Sequence, residues 1–334
     1  MSKKKVNPNN KNRKVSSNTK VNSNNTILII GAIIVALLLV FAAYYYLTHQ
    51  APAVVENGQL SLDASDHFVI PASRGPVNAT ITPTDMSSDN YTVQTIEYNS
   101  LGHDVYASLC IPKNVTKPPV VVVLPAATIT KELDFPMAQY LSGMGYASIT
   151  LDQRGLGQTG DDFAGDWQGG FNDFINDSYT IQYKQIYDAV RALDYVQSRN
   201  DLDGNNTAIL GESIGGMWSI ITAGVDPRFK GVICVSSSDF PFTMYDNTTA
   251  GNITANQFIT SVQPSNYLSL LPPRKLVMIQ FTDDPTIHVQ DAKALYDKAS
   301  EPKAWYQYEG DTHGLPNATY MPDLQKELKG MLGQ

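Results

Sequence analysis

Three groups of residues in this chain could together break an acyl bond, and each carries its own local signature. Residues 208–217 read AILGESIGGM, where Gly211, Ser213 and Gly215 fit Gly-x-Ser-x-Gly, the pattern that mounts a serine on a sharp turn between a strand and a helix. A serine hydroxyl is a weak nucleophile at neutral pH, so it needs a base within hydrogen-bond reach and a third group to orient that base. Of the five histidines, His49, His67 and His103 precede the serine, and His288 and His313 follow it. His313 stands in YEGDTHGLP, directly after the last strand expected from the sequence, where the order serine, acid, histidine puts the base. His288 reads as an exposed loop histidine. For the acid, KLVMIQFTDDPTIHV offers Asp283 and Asp284 at a strand end, either of which could hold the imidazole tautomer and stabilise the imidazolium. Two N–H donors must then meet the developing oxyanion: that of Ile214, next after the serine, and one from Pro125-Ala126-Ala127-Thr128. Proline has no N–H, which leaves Ala126 or Ala127, with Ala127 preferred.

The elements that must position these residues alternate strand and helix. YTVQTIEYNSLGHDVYASLCIP alternates polar and apolar residues about Asn99–Gly102 and reads as a hairpin. VVVVLP is a continuous apolar run of the kind a strand buried on both faces needs. DFPMAQYLSGMG (helix), YASITLD (strand) and YTIQYKQIYDAVRALDYVQSRN (long amphipathic helix) follow. TAILG and IGGMWSIITAG then give a strand and a helix with Ser213 at their junction; FKGVICVSS, KLVMIQF and AWYQYEG are further strands, with VQDAKALYDKA a helix between the last two. This predicts an α/β fold, a mainly parallel sheet with helices on both faces, over residues 76–334. Two stretches interrupt the alternation, 158–178 and 239–271. Each is Gly-, Asn- and aromatic-rich and follows a strand, so each is expected to form either a small cap or plain loop packing.

The N-terminus has a different character. Residues 1–25 hold seven Lys or Arg and no acid, and residues 26–47, TILIIGAIIVALLLVFAAYYYL, are uncharged, apolar and long enough to span a bilayer. The charge asymmetry predicts a cytoplasmic tail (1–25), a transmembrane signal-anchor (26–47), a linker (48–75) and an outward-facing domain (76–334) at the cell membrane. A cleaved signal peptide is the competing expectation, because Ala51-Pro52-Ala53 has the small-x-small form of a cleavage site. All 32 Asp and Glu lie beyond the apolar run, against 17 of the 24 Lys and Arg, for a formal charge near −15. That balance excludes nucleic acid as an expected partner. Beyond the apolar run, eight sequons, at Asn78, Asn90, Asn114, Asn176, Asn205, Asn247, Asn252 and Asn317, are more than composition predicts and mark glycosylation candidates. Cys110 and Cys234 both sit in apolar strand contexts and read as buried free thiols.

Residues 91–334 resemble the α/β-hydrolase superfamily, in particular its dienelactone-hydrolase-like, acetyl-esterase-like and prolyl-oligopeptidase-like members. The stretches that carry the likeness are VVVVLPAAT, ITLDQRGLGQTG, the elbow around Ser213, FTDDPTIHVQDAKALY and YEGDTHGLP. In that family the aspartate before proline is the usual acid, so the resemblance selects Asp284. The family often has His-Gly where Pro125-Ala126 stands here. What the resemblance implies is a serine hydrolase with Ser213, Asp284 and His313 as its triad, acting on a small ester or, alternatively, a short peptide. A non-catalytic adhesion domain on the same fold is the reading from another class. Neither His-Glu-x-x-His nor a Gly-rich phosphate loop with Lys occurs, so neither metal nor nucleotide cofactor is expected.

Overall fold

The run PVVVVL has no polar face to offer to water, and it forms the centre of the sheet. β4 (Pro119–Leu124) is buried at every position, with Val120, Val122 and Leu124 in one core and Val121 and Val123 in the other. The computed structural model describes residues 61–161, 163, 165–241 and 253–333. Around β4 lie β1 (Ala79–Pro83), β2 (Tyr91–Ser100), β3 (His103–Pro112), β5 (Ala147–Leu151), β6 (Asp203–Glu212), β7 (Gly231–Val235), β8 (Lys275–Phe281) and β9 (Lys303–Tyr308). Their order across the sheet is β1-β2-β3-β5-β4-β6-β7-β8-β9. The pairings among β1, β2, β3 and β5 are antiparallel, and every pairing from β5–β4 through β8–β9 is parallel. The α/β fold with a mainly parallel sheet is therefore as the sequence led us to expect.

Helices cover both faces. On one lie α1 (Phe135–Gly143) and α8 (Met321–Leu332), which bury Met137 and Leu141, and Leu324, Leu328 and Leu332. On the other lie α3 (Ile181–Ser198), α4 (Ile214–Val225) and α7 (Val289–Lys298), contributing Ile186 and Leu193, Trp218 and Ile221, and Ala292 and Leu295. The chain steps from β4 to β5 on one side and returns to β6 on the other, so β4 and β6 flank a topological switch point, where open α/β sheets place their ligands.

β1, α8, one helix inside the first insertion and two inside the second go beyond the sequence reading. The insertion helices are α2 (Trp167–Ile175) and α5 (Ile253–Ser261), the latter followed by the single turn α6 (Pro264–Tyr267). The insertions meet each other: the Phe258 ring lies 6.0 Å from Phe171 and 5.4 Å from Phe174. Trp167 packs 4.7 Å from Phe240 and 6.2 Å from Trp218 of α4. Their described parts thus form one helical layer seated on α4 through aromatic burial.

Residues 61–75 correct the expectation of a linker. Phe68 is buried, stacks on Tyr183 at 4.7 Å and donates its N–H to Tyr267 Oη at 2.8 Å. The His67 ring bridges the Asp63 carboxylate and the Asn266 carbonyl, each at 2.9 Å, and Arg74 pairs with both carboxylate oxygens of Asp194 at 2.8 Å. This stretch mixes Ser, Asp and Pro without a clear period and so does not read as core, but its one large aromatic finds an aromatic partner across the chain. The basic tail, the apolar run 26–47 and residues 48–60 lie outside the described residues; among those described, no helix is long and apolar enough to cross a membrane. Asn78, Asn90, Asn114, Asn176 and Asn205 are exposed, whereas Asn317 is half-buried and its side chain bonds Thr312 Oγ1 and the Thr319 N–H. Asn247 and Asn252 lie outside the described residues. Cys110 and Cys234 are buried free thiols, and burial pushes the Cys110 thiol up to about 12.

Candidate active site

β6 ends at Glu212 and α4 begins at Ile214, so Ser213 makes the whole turn in one residue. Its backbone lies at φ 54°, ψ −122°, a region an L residue rarely adopts and one that is kept only where the surroundings enforce it. Two glycines make the turn possible. A Cβ on Gly211 would stand 2.2 Å from the Gly215 carbonyl oxygen, and one on Gly215 would stand 2.0 Å from that of Leu124 and 2.5 Å from that of Pro125. The second contact shows that the end of β4 presses directly on the first turn of α4.

The base arrives from the far edge of the sheet. The loop after β9 carries His313, whose Nε2 lies 2.9 Å from Ser213 Oγ. Its Nδ1 faces both oxygens of Asp284, at 2.9 and 3.0 Å, from the loop after β8. The Asp284 side chain is fully buried and also accepts from the N–H groups of Thr286 (2.9 Å) and Ile287 (3.0 Å) and from the Gln280 amide (3.2 Å). Burial by itself pushes this carboxyl up, but the Ile287 N–H, the His313 ring and the Thr286 N–H more than offset it and hold it below the usual carboxylate range. The ambiguity between neighbours is resolved by geometry: Asp283 is exposed, with its carboxylate on Thr282 Oγ1, and His288 is an exposed residue at the start of α7. His67 is engaged in the docked segment, and His103 Nε2 faces the Thr159 carbonyl at 2.6 Å.

Ile214 is the first residue of α4, where a helix leaves its N–H without an intrahelical partner. Ala126 and half-buried Ala127 follow β4, and a Cβ on Gly314 would stand 3.1 Å from Ser213 Cβ and 3.6 Å from Ala126 Cβ. The serine turn, the loop after β4 and the histidine loop therefore converge on one point.

Several residues that hold this point together gave no chemical signal in sequence. Lys131, buried on the loop after β4, donates its N–H to Asp152 Oδ1 (2.8 Å) and its ammonium to Asp152 Oδ2 (2.7 Å). Asp152 also takes the Gln158 N–H at 2.9 Å, and a Cβ on Gly157 would stand 2.2 Å from its carboxylate. Gln153 donates from its side chain to the Pro125 carbonyl. Arg154 pairs with both oxygens of Asp188 at 2.7 and 2.9 Å. The stretch DQRGLG is thus a bracket for the loop after β4. Its residues were visible only as part of a resemblance, because their partners lie 21 to 34 positions away along the chain.

A strained serine at the end of a central parallel strand, with an acid and a histidine delivered in chain order from the next two strand ends, defines an α/β-hydrolase of the serine type. The chain belongs to the acetyl xylan esterase (AXE1) family, which matches residues 67–251. It is similar to the acetyl esterase Axe7A of Xylanibacter ruminicola, with 35% identity over 136 residues, 38% of this chain and 31% of that protein. The matched stretches span 31% and 30% of the length of the two curated relatives. Among solved structures, an acetyl xylan esterase from Paenibacillus sp. R4 superposes with a TM-score of 0.64 at 22% identity, covering 77% of this chain and 90% of that one. A glucuronoyl esterase from Solibacter usitatus gives 0.61 at 14% identity, covering 84% and 91%. At these identities the structural likeness establishes the fold.

Proposed function

We propose that this chain is a membrane-anchored, outward-facing serine hydrolase that cleaves carboxylic esters, with an acetyl group on a carbohydrate as its substrate class. The observation that carries the reading is the unbroken series of contacts from Asp284 through His313 to Ser213, in a member of the acetyl xylan esterase family. Ser213 Oγ attacks the acyl carbon and its proton passes to His313 Nε2, while Asp284 accepts the Nδ1–H bond and stabilises the imidazolium. The N–H groups of Ile214 and Ala127 hold the oxyanion. Collapse breaks the bond to the alcohol oxygen, which leaves with the proton from His313, and the acyl group stays on Ser213. Water then attacks the acyl-enzyme, giving its proton to His313; the acid departs and Ser213 recovers the proton.

The esterase names of the relatives favour an ester over an amide, and the three side chains in mutual contact favour catalysis over adhesion. Residues 26–47 serve as the anchor in this reading, and the five exposed sequon asparagines as glycan acceptors. The full chain is to be tested with a fluorophosphonate probe, p-nitrophenyl acetate, acetylated xylan and aminoacyl or prolyl amides. Labelling that disappears in Ser213→Ala, with ester cleavage dominant, is the expected outcome; labelling that survives in that variant, or amide cleavage dominant, overturns the reading. For the anchor, the expected result is full-length protein retained in membranes after alkaline carbonate washing and trimmed by protease added to intact cells. Release of a shortened chain into the medium would instead support signal cleavage.

A further inference from the structure

Asp134 and Glu212 are two buried carboxyl groups that the mechanism leaves unused. Glu212 is the residue before the nucleophile, at the end of β6, and Asp134 closes the loop that runs from β4 into α1; neither is more than 1% exposed. The two carboxyls lie against each other, each being the side-chain partner of the other. None of their four oxygens takes an N–H or O–H from another described residue. Two ionised carboxylates have only lone pairs to present, so a contact of this kind in a dry interior requires a proton between them.

We infer that Asp134 and Glu212 share a proton and act as a positioning pair, clamping the loop that carries Ala127 to the strand that carries Ser213. This rests on the ester-hydrolase reading of the same site. Burial pushes both carboxyls up; the Asp134 charge raises Glu212 further, while the interaction with Glu212 draws Asp134 back in part. Tyr320, from the histidine loop, is a further titratable group beside both; it is fully buried and donates its hydroxyl to the Leu315 carbonyl at 3.1 Å, with Tyr140 of α1 near it. Lys131, on the same loop as Asp134, is taken up by Asp152 and Glu132 at 2.7 and 2.6 Å. The pair therefore lies where the nucleophile strand, the oxyanion loop and the histidine loop meet. Its one bond joins the first two. When the shared proton leaves at alkaline pH, two like charges replace that bond, and the loop separates from the strand.

The test uses the full chain with p-nitrophenyl acetate. Asp134→Ala and Glu212→Ala, checked for folding by near-UV circular dichroism, are expected to lose kcat by about 10- to 100-fold with little change in KM, as for a sub-ångström misplacement of a donor. Asp134→Asn and Glu212→Gln keep a donor for the remaining carboxylate and are expected to stay within about threefold of wild type. The reversible fall of wild-type kcat at alkaline pH is expected to be absent from Asp134→Asn, whose amide does not titrate. Folded alanine variants with wild-type kcat, or amide variants as impaired as the alanine ones, overturn the inference. If the alanine variants do not fold, the alkaline limbs decide, and coincident limbs in wild type and Asp134→Asn overturn it. A wild type that neither cleaves esters nor reacts with the fluorophosphonate overturns the ester reading and this inference with it. An active wild type with any of the other adverse results overturns this inference alone.

Discussion

His313 Nε2 lies 2.9 Å from Ser213 Oγ, although one hundred residues separate them along the chain. The loop after β9 reaches the end of β6 because β6, β7, β8 and β9 are consecutive parallel neighbours whose carboxyl ends all face the same way. The acid arises from β8, between them, and that placement sets the order in which the three side chains occur.

Asp284→Asn keeps the shape of the carboxyl but lets the side chain donate where it must accept, which selects the wrong imidazole tautomer. We expect kcat toward p-nitrophenyl acetate to fall by about 10⁴-fold with KM nearly unchanged, while Asp283→Asn stays near wild type. Steady-state kinetics on the two variants checks both halves of the expectation.

The backbone of Ser213 carries strain that glycine would not feel. Ser213→Gly is expected to be more stable than Ser213→Ala by about 1 kcal/mol, with both inactive. Urea melts of the two variants measure the difference; a more stable alanine variant would contradict the strain argument.

Lys131 and Asp152 form a buried ion pair beneath the loop after β4. Lys131→Met leaves the Asp152 charge without its cation, so we expect a loss of about 3–5 kcal/mol in unfolding free energy. Because the pair also fixes the loop bearing Ala127, kcat should fall along with stability. Lys293→Met, which breaks an exposed pair with Asp297 one turn along α7, is expected to cost no more than about 1 kcal/mol.

The two carboxyl systems impose opposite pH slopes. Asp284 titrates lower in the folded than in the unfolded protein, so its contribution is present above the ordinary carboxylate range of about 3.9 and is lost as pH falls through its folded value. Asp134 and Glu212 titrate higher when folded, so they favour the native state most at low pH and cost stability as pH rises from that range toward neutrality and beyond. Thermal melts are expected to show Asp284→Asn losing less stability than wild type between about pH 5 and pH 3. Between about pH 5 and pH 8, Glu212→Gln should lose less than wild type. Parallel curves in either window would contradict the corresponding assignment.

Much of this protein can be read in its sequence for local reasons. VVVVLP has no polar face, so it had to be a strand buried on both sides; Gly-x-Ser-x-Gly between a strand and a helix had to be a tight turn, since a Cβ at Gly211 or Gly215 meets backbone oxygens. α8 also carries local signals, although the sequence reading does not assign it: Pro322 in its first turn, Gly333 after its end at φ 68°, and Leu324, Leu328 and Leu332 on one face. The sequence alone also determined that an acid and a base follow the serine at two later strand ends.

What only the tertiary structure decided depends on which distant residues meet. Asp283 and Asp284 differ by one position, but only one of them is buried against His313 and supplied with two backbone N–H donors. Residues 61–75 look like a linker until Phe68 meets Tyr183, and the two insertions read equally as a cap or as loop packing until Phe171 and Phe174 meet Phe258. The contact of Asp134 with Glu212, 78 positions apart, is invisible in any local window. Periodicity and turn chemistry are properties of neighbours along the chain, whereas desolvation and the sharing of a proton are properties of neighbours in space.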